Sequence, residues 1–257
     1  MIFDTHAHYD ARQYDEDREE VLAHLKDAGV EKVVNISNGW KDLLATIDLV
    51  ERYPWIYGSA GIHPCEIKDL TEERFEQIRD FSRKEKIVAI GEIGLDYYWV
   101  KEAEEREKQR YWFVRQLTLA KEEDLPVVIH SRDAAKDTFD TMKKEHARTT
   151  GGVIHCYSGS LEMAREYVKL GYYLGIGGVV TFKNSKTLKR VAAEIPLEYI
   201  VLETDAPYLS PMPYRGKRNS SAYLHYVAEE IAALKGISRE EVEAVTYQNA
   251  VNLYRIR

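Results

Sequence analysis

The first apolar run of the chain ends in a closely spaced pair of histidines. His6 and His8 are separated by one residue, and Asp4 precedes His6 at the same spacing. Side chains two residues apart in an extended strand point to the same face. The two imidazoles would then lie side by side, as a cation site requires. A surface pair or two hydrogen-bonded histidines would have the same spacing, so the pair alone does not decide the chemistry.

Further histidines and carboxylates follow five later apolar runs. They are His63, Glu92 with Asp96, His130, His155, and Glu203 with Asp205. The three remaining histidines, His24, His146 and His225, fall in predicted helical segments. Titratable groups buried together cost on the order of several kcal/mol each unless they are compensated. One or two divalent cations would supply that compensation, and mixed nitrogen and oxygen donors are typical of Zn²⁺ or Mn²⁺ rather than an all-oxygen Mg²⁺ site.

A site with two cations needs an anionic group between them. Cations about 3.5–4 Å apart repel each other strongly. Glu92 ends the fourth apolar run, and no lysine stands at the corresponding ends. We therefore predict Glu92 as the bridging ligand and Asp205 as a ligand of one metal. A closed structural zinc site would use four ligands, so a set of six candidates favours a catalytic centre, namely the two histidines of the pair, Glu92, His130, His155 and Asp205.

Eight short apolar runs alternate with amphipathic segments along the chain. The runs are MIFDTHA, KVVNIS, IYGSAGIH, IVAIGEIGL, PVVIHS, GVIHC, YYLGIG and YIVLETD. Their lengths and continuous apolar character favour parallel strands buried on both faces. Helical patterns lie between them, including residues 15–28 before Gly29, a helix from Leu161 to Gly171, and a last helix whose capping box is Ser238 and Glu241.

This alternation predicts an α/β protein with a single-domain (β/α)8 TIM barrel over residues 1–257. A doubly wound open sheet is the alternative. Active sites of such barrels lie at the carboxyl ends of the strands, where the candidate residues fall. The sequence therefore predicts a metal site at this end of the barrel.

Composition limits the kinds of partner. The chain has 257 residues, 44% of them hydrophobic, and a formal charge of −7. Proteins that bind long nucleic acids through their whole surface are usually basic, so positive charge for an anionic substrate must be concentrated locally. The two cysteines are far apart in sequence, and no secretory signal or membrane-spanning run is evident. We expect a cytoplasmic protein with free thiols, no membrane association and no obligate protein partner.

Seven motifs occur in order: FDTHAH, GIHP, GEIGLDYY, the segment from Arg106 to Ala120, PVVIHSRDA, HCYSGS and LETDAPYLSP with PYRGKRN; NAVNLYRI follows near the end. Together they resemble the TatD family of metal-dependent deoxyribonucleases over nearly the whole chain. The resemblance implies an amidohydrolase-like barrel that hydrolyses DNA phosphodiesters with divalent metals, as a 3′→5′ exonuclease on single-stranded DNA. It implies six metal ligands, namely His6, His8, Glu92, His130, His155 and Asp205.

One motif departs from the family pattern. The family commonly continues RGKRNEPAY, whereas this chain reads RGKRNSSAY, with Ser220 and Ser221 at the Glu-Pro positions. Losing the proline relaxes a constraint on the loop, and losing the glutamate removes a negative charge. Neither position is a predicted ligand, so we expect an effect on substrate preference or loop order rather than on the chemistry.

We expect water activated by two cations to attack phosphorus. His6, His8 and Asp205 would hold one cation, and His130 and His155 the other, with Glu92 between them. Glu203 shares the face of Asp205, and either carboxylate is a candidate to orient or deprotonate the water. His63 is a candidate to contact a phosphate oxygen or protonate the leaving group, although a structural role beside Pro64 is as plausible.

Candidate substrate-binding residues follow the fourth, fifth and eighth runs. Arg132 is predicted to pair with a phosphate, unless Asp133 or Asp96 neutralises it. Tyr97, with Tyr98 and Trp99, is predicted to stack on bases or to pack at the barrel mouth. A basic loop, defined as Arg215, Lys217 and Arg218, is the candidate phosphate-binding patch.

Two other kinds of function fit the same metal ligands. One is a metal-dependent hydrolase of another ester or amide bond, such as an aminoacyl-tRNA deacylase or a lactonase, because one fold supports many chemistries. The other is a barrel that retains metal without catalysis. Arg132 and the basic loop favour a phosphate substrate. The residues leave the metal open between Zn²⁺, Mn²⁺ and Mg²⁺.

Overall fold

A computed structural model describes residues 1–145 and 151–256 and contains one eight-stranded sheet. The strands are β1 (Ile2–Ala7), β2 (Val30–Asn35), β3 (Ile56–Ala60), β4 (Ile87–Asp96), β5 (Val127–Arg132), β6 (Gly152–Ile154), β7 (Tyr172–Ile176) and β8 (Ile200–Leu202). Each overlaps one of the eight predicted runs, so the eight strand predictions are confirmed, although β2 begins two residues earlier than its run and β4 and β5 each end one residue later. His146 lies outside the described residues.

The sheet curves into a nearly closed barrel. Neighbouring strands pair in parallel in the order β1 to β8. The segment after β8 meets the end of β1, where the amide of Asp205 donates to His6 O at 2.9 Å and the amide of His8 donates to Ala206 O at 2.7 Å. These bonds bring the first and last strands together, which confirms the barrel and excludes the open sheet.

Helices connect successive strands, and the last two helices follow β8. In the described ranges they are α1 (Arg18–Asp27), α2 (Trp40–Arg52), α3 (Glu72–Ser82), α4 (Ala103–Glu122), α5 (Ala135–Glu145), α6 (Leu161–Lys169), α7 (Lys186–Glu194), α8 (Leu224–Lys235) and α9 (Arg239–Tyr254). The hydroxyl of Ser238 accepts from the amide of Glu241 at 3.1 Å, as the predicted N-cap of the last helix requires. None of the helices built from the described residues is both long and apolar enough to cross a membrane.

The first helix begins later than predicted. A short 3₁₀ turn covers Arg12–Tyr14, and α1 starts only at Arg18. The side chain of Tyr14 is fully buried, and its hydroxyl donates to Asn219 O at 2.7 Å. This contact joins two residues that are 205 positions apart in the sequence, and it holds the segment outside α1. The neighbouring sequence alone does not predict such a contact.

Apolar packing occupies the amino-terminal part of the barrel. One buried cluster joins inward side chains of several strands to α9 and comprises Phe3, Val34, Ile36, Val88, Ala89, Val128, Val153, Val201, Ala250, Leu253, Tyr254 and Ile256. A larger cluster fills the space between the sheet and the surrounding helices. The polar candidates are therefore gathered toward the carboxyl ends of the strands.

Candidate metal centre

The six predicted ligands lie together at the carboxyl ends of the strands. They are His6 in β1, His8 just after it, Glu92 in β4, His130 in β5, His155 after β6 and Asp205 after β8. The side chains of His130 and Asp205 retain 17% and 19% of their exposure, whereas the other four are buried. The cluster is therefore closed toward the interior of the barrel and open toward its mouth.

His6, His8 and Asp205 form one group of converging donors. The Nε2 atoms of His6 and His8 are 3.1 Å apart. Asp205 Oδ1 lies 3.3 Å from His8 Nε2 and 3.8 Å from His6 Nε2. All three ligand atoms lie within 4.8 Å of one another, as donors to one cation must.

Glu92 faces both halves of the cluster. Its Oε2 atom lies 3.4 Å from His6 Nε2, on the side of the first group. Its Oε1 atom lies 2.8 Å from His130 Nδ1 and 3.9 Å from His155 Nε2. The two carboxylate oxygens therefore point at different histidines, which is the geometry that a bridging carboxylate requires.

Three of the histidines are held from behind through their second ring nitrogen. His8 Nδ1 lies 2.8 Å from Ile36 O, and His130 Nε2 lies 3.2 Å from Asp96 Oδ2. His155 Nδ1 lies 3.2 Å from Glu203 Oε2. Histidines that bind metal usually pair their other nitrogen with a carboxylate or carbonyl, which fixes the tautomer and the ring orientation. The other nitrogen of each ring faces the cluster, where a cation would bind.

The structure places Glu203 behind His155 rather than at the open side of the cluster. Its Oε1 atom accepts from the amide of Cys156 at 2.6 Å, so both oxygens have partners within the protein. A Cβ atom at Gly175 of β7 would lie 2.1 Å from Glu203 Oε2, so glycine provides the space for this carboxylate. The geometry favours an orienting role over the predicted activation of water.

Asp96 is a functional candidate whose role the sequence analysis missed. The sequence places it with Glu92 at the end of the fourth run and as a possible partner for Arg132, whereas in the structure its two oxygens contact His130 Nε2 and the amide of Trp99. Asp96 is four residues after Glu92 in β4, and even spacing places both side chains on one face of the strand. That spacing was the available signal.

The carboxylates of the cluster stabilise positive charge on the groups beside them. Burial lowers the pKa of His8, but the hydrogen bond and charge of Asp205 outweigh it and raise the pKa to about 9. Burial also opposes protonation of His155, yet the charges of Glu203 and Glu92 raise its pKa to about 10. For Glu92, burial raises the pKa, but the neighbouring His155 and His6 hold it well below its usual value.

The donor set fits divalent cations. His6 Nδ1 is buried without a hydrogen-bond partner in the described parts of the chain, so the polar contacts of this ring run through Nε2 into the cluster. Its ring stacks on His155 with centroids 3.5 Å apart. Converging imidazole nitrogens and carboxylate oxygens are ligands that Zn²⁺ and Mn²⁺ accept.

The sequence matches the family described as TatD related DNase over residues 3–255. The chain belongs to the TatD family. Its TatD-family relatives include the uncharacterized metal-dependent hydrolase YabD of Bacillus subtilis, which is 46% identical with both chains fully covered. YcfH of Escherichia coli, also an uncharacterized metal-dependent hydrolase, is 35% identical over the whole of this chain and 96% of its own length.

A solved structure shares the TatD fold. The crystal structure of YjjV, a TatD homologue from Escherichia coli, superposes with a TM-score of 0.92 at 31% identity and covers 100% of this chain and 98% of its own. The family resemblance and the barrel are therefore confirmed, and this TatD protein is a metal-dependent hydrolase. The assignment of individual ligands stays a prediction that the geometry supports.

Two of the predicted substrate-binding residues line the cavity above the TatD centre. This cavity has a volume of about 800 Å³, and its walls include His63, Arg132, His130, His155 and Asp205. Burial and the neighbouring His130 lower the pKa of His63 to about 3. His63 is therefore a neutral ring at the cavity wall near pH 7.

Tyr97 does not face this cavity. It is buried, and its hydroxyl donates to Asp137 Oδ2 at 2.9 Å and accepts from Arg110 at 2.8 Å. Its ring lies beneath the guanidinium of Arg106 rather than at the barrel mouth. The prediction of Tyr97 as a stacking residue is therefore corrected, because packing against α4 and α5 turns it away from the mouth.

The basic loop does not line the cavity either. Arg218 pairs with Asp17, which lies 201 residues away in sequence, and Arg215 lies 4.4 Å above the ring of Phe182. Lys217 lies 5.7 Å from the ring centroid of Tyr214. A partner distant in sequence neutralises Arg218, so the loop is less basic than its sequence suggests.

Ser221, one of the two positions that depart from the family pattern, belongs to a buried hydrogen-bond network around Asp4. The hydroxyl of Ser221 contacts Asp4 Oδ2 at 2.5 Å and the Tyr9 hydroxyl at 2.7 Å. Asp4 also accepts from the Thr204 hydroxyl at 2.6 Å and from the amide of His6. The network thus joins β1 to the segment that carries Asp205.

We expect Ser221→Ala to lower the free energy of unfolding by about 1–3 kcal/mol, because a fully buried carboxyl loses a hydrogen-bond donor. Ser220→Ala is the comparison variant, since Ser220 is only half-buried and its hydroxyl accepts from the amide of Ala222 at 3.3 Å. Urea denaturation of both variants measures the difference. An equal small effect at both positions would show that the network contributes little stability.

We expect metal binding to this TatD centre to release protons near pH 7. The pKa values of His8 and His155, about 9 and 10, lie above pH 7, and their Nε2 atoms must lose a proton before they bind a cation. Apparent metal affinity should therefore rise as the pH increases toward about 9 to 10, and it should weaken as the pH is lowered. Calorimetric titration in two buffers of different ionisation enthalpy counts the protons; a binding heat that is independent of buffer would contradict the prediction.

Proposed function

We propose that this TatD protein hydrolyses phosphodiester bonds in DNA and shortens single-stranded DNA from its 3′ end. Two divalent cations, bound by the six clustered ligands, would serve the reaction. The observation that carries the proposal is the bridging geometry of Glu92, whose Oε2 faces His6 while its Oε1 faces His130 and His155. Two-metal centres of this kind suit in-line displacement at phosphorus.

The protein's own residues fit a phosphate in the cavity. A divalent cation, when bound, lowers the pKa of water and stabilises charge on phosphate oxygens. His63 Nδ1 accepts from the amide of Cys65 at 3.1 Å, so the ring proton is on Nε2. His63 can therefore donate a hydrogen bond to a phosphate oxygen, which is the first of its two predicted roles.

Arg132 supports phosphate over the other ester and amide substrates. It lines the cavity, and among the described residues no carboxylate, including Asp96 and Asp133, lies within 4.0 Å of its guanidinium. On a chain of net charge −7, an unpaired arginine beside the metal ligands matches a substrate that carries negative charge. A lactone or a neutral amide would leave this cation without a partner.

The proposal includes the setting of the reaction. We infer a cytoplasmic enzyme without an obligate protein partner. Cys65 and Cys156 are free thiols, which suits a reducing compartment. The physiological metal would be Zn²⁺, Mn²⁺ or Mg²⁺, all of which a site of histidines and carboxylates accepts to different degrees.

Metal-stripped protein incubated with 5′-labelled single-stranded DNA tests this function. With added Mg²⁺, Mn²⁺ or Zn²⁺ we expect a ladder of products that shorten from the 3′ end. The same strand with phosphorothioate linkages at its 3′ end is the control and should persist. If protein that binds the metal leaves DNA intact, the nuclease proposal is wrong, and aminoacyl-tRNA and lactone substrates become the ones to assay.

A further inference from the structure

The loop after β4 presents two aromatic side chains to solvent beside the metal centre. Trp99 is 66% exposed and Tyr98 is 43% exposed. Trp99 also lines the cavity that contains His130, His155 and Asp205. The two rings contact each other, and a contiguous exposed apolar patch beside a cavity is typical of a ligand-binding surface.

This loop is held in place by a carboxylate that also contacts a predicted metal ligand. The amide of Trp99 donates to Asp96 Oδ1 at 2.8 Å, and the other oxygen of Asp96 contacts the ligand His130 at 3.2 Å. Arg106 Nε donates to Val100 O, and Lys101 Nζ donates to Tyr97 O, each at 2.9 Å. One buried carboxylate therefore fixes the position of Trp99 relative to a predicted metal ligand.

Arg132 completes the surface. Its guanidinium lies 4.0 Å from the ring centroid of Tyr98 and 5.6 Å from that of Trp99. It occupies a face of Tyr98 and has no ion-pair partner in the part of the chain that the structure describes. An open indole beside an unpaired guanidinium matches the two halves of a nucleotide, which are an aromatic base and a phosphate.

We propose that Trp99 and Arg132, supported by Tyr98, form a subsite for one unpaired nucleotide next to the scissile bond. The base stacks on the indole of Trp99, and Arg132 pairs with the phosphate beside it. This inference rests on the proposed nuclease function and deepens it. A base within a duplex has both faces covered by its neighbours, so the subsite selects unpaired strands of any sequence.

A substrate-and-enzyme double-mutant cycle tests the subsite. Single-stranded oligonucleotides carry one abasic residue at successive positions from the 3′ end, and kcat/KM is measured for wild type, Trp99→Ala and Trp99→Phe. Trp99→Ala should lower kcat/KM about tenfold on intact strands, as the loss of one stacked base does. At one position the abasic residue should lower the wild-type value similarly and cause no further loss in Trp99→Ala.

The controls separate stacking from a general effect of mutation. Trp99→Phe keeps an aromatic face and should retain most of the activity. Tyr111→Ala removes another aromatic residue, 49% exposed, on α4 and away from the cavity walls, and should leave kcat/KM unchanged. Trp99→Ala should also reduce the ratio of kcat/KM on single-stranded DNA to kcat/KM on blunt duplex DNA.

Each result has a distinct meaning. Equal rates for Trp99→Ala and wild type, or additive losses at every abasic position, would overturn the subsite while the nuclease function stands. If wild-type protein cleaves no DNA with any metal, the proposed function fails and the subsite fails with it. Non-additivity at a single position would establish which nucleotide contacts Trp99.

Discussion

Glu92→Ala is expected to lower metal-dependent hydrolysis by at least about 10³-fold, the scale of loss for a preorganised electrostatic group at a reacting centre. Glu92 contacts His6, His130 and His155 at 3.4, 2.8 and 3.9 Å. Without this carboxylate, two cations would face each other with less negative charge between them. We therefore expect the variant also to bind fewer than two metal ions per chain.

Two variants separate this effect from misfolding. Glu92→Gln keeps the size of the side chain and should retain the fold while it loses most activity. Glu102→Ala replaces an exposed glutamate at the start of α4 and should behave as wild type. Activity can be followed by release of nucleotides from single-stranded DNA, and bound metal by elemental analysis. A Glu92→Ala protein that keeps two metals and near-normal rates would rule out the bridge.

Glu203→Ala is expected to weaken metal binding about 10- to 100-fold, as the loss of a carboxylate behind a ligand histidine usually does. Glu203 Oε2 lies 3.2 Å from His155 Nδ1, and its Oε1 accepts from the amide of Cys156. Without this partner the ring of His155 loses the contact that fixes its tautomer and helps to orient it. Much of the activity should return at high metal concentration, because the cation can then hold the ring.

Metal titration distinguishes this role from activation of water. Loss of a general base lowers kcat at saturating metal, whereas loss of an orienting residue shifts the metal dependence. Glu198→Ala, at an exposed site before β8, is the control and should leave both quantities unchanged. If saturating metal restores none of the activity of Glu203→Ala, the orienting role is wrong.

The strands and the cluster of ligands were predictable for the same physical reason. Strands of a parallel barrel are buried on both faces, so they appear in the sequence as continuous apolar runs. Because parallel strands end at one rim, polar residues that terminate separate runs meet in space. His6 and Asp205 are far apart in sequence, yet their ligand atoms lie 3.8 Å apart.

The details that escaped prediction depend on contacts distant in sequence. Tyr97 and Trp99 are both aromatic residues that could stack on a base. The hydrogen bonds of Tyr97 with Asp137 and Arg110 hold Tyr97 in a buried position, whereas Trp99 is exposed. The pairing of Arg218 with Asp17 likewise spans the chain. The sequence predicts Glu203 beside the metal site, but which nitrogen of His155 it faces depends on how the two strand ends meet.

An anomalous difference map from crystals equilibrated with Mn²⁺ would test the central claim most directly. Two peaks are predicted about 3.5–4 Å apart. One should lie among His6, His8 and Asp205, and the other beside His130 and His155, with Glu92 between them. A single peak outside this cluster, or no peak while the protein hydrolyses its substrate, would contradict a two-metal centre bridged by Glu92.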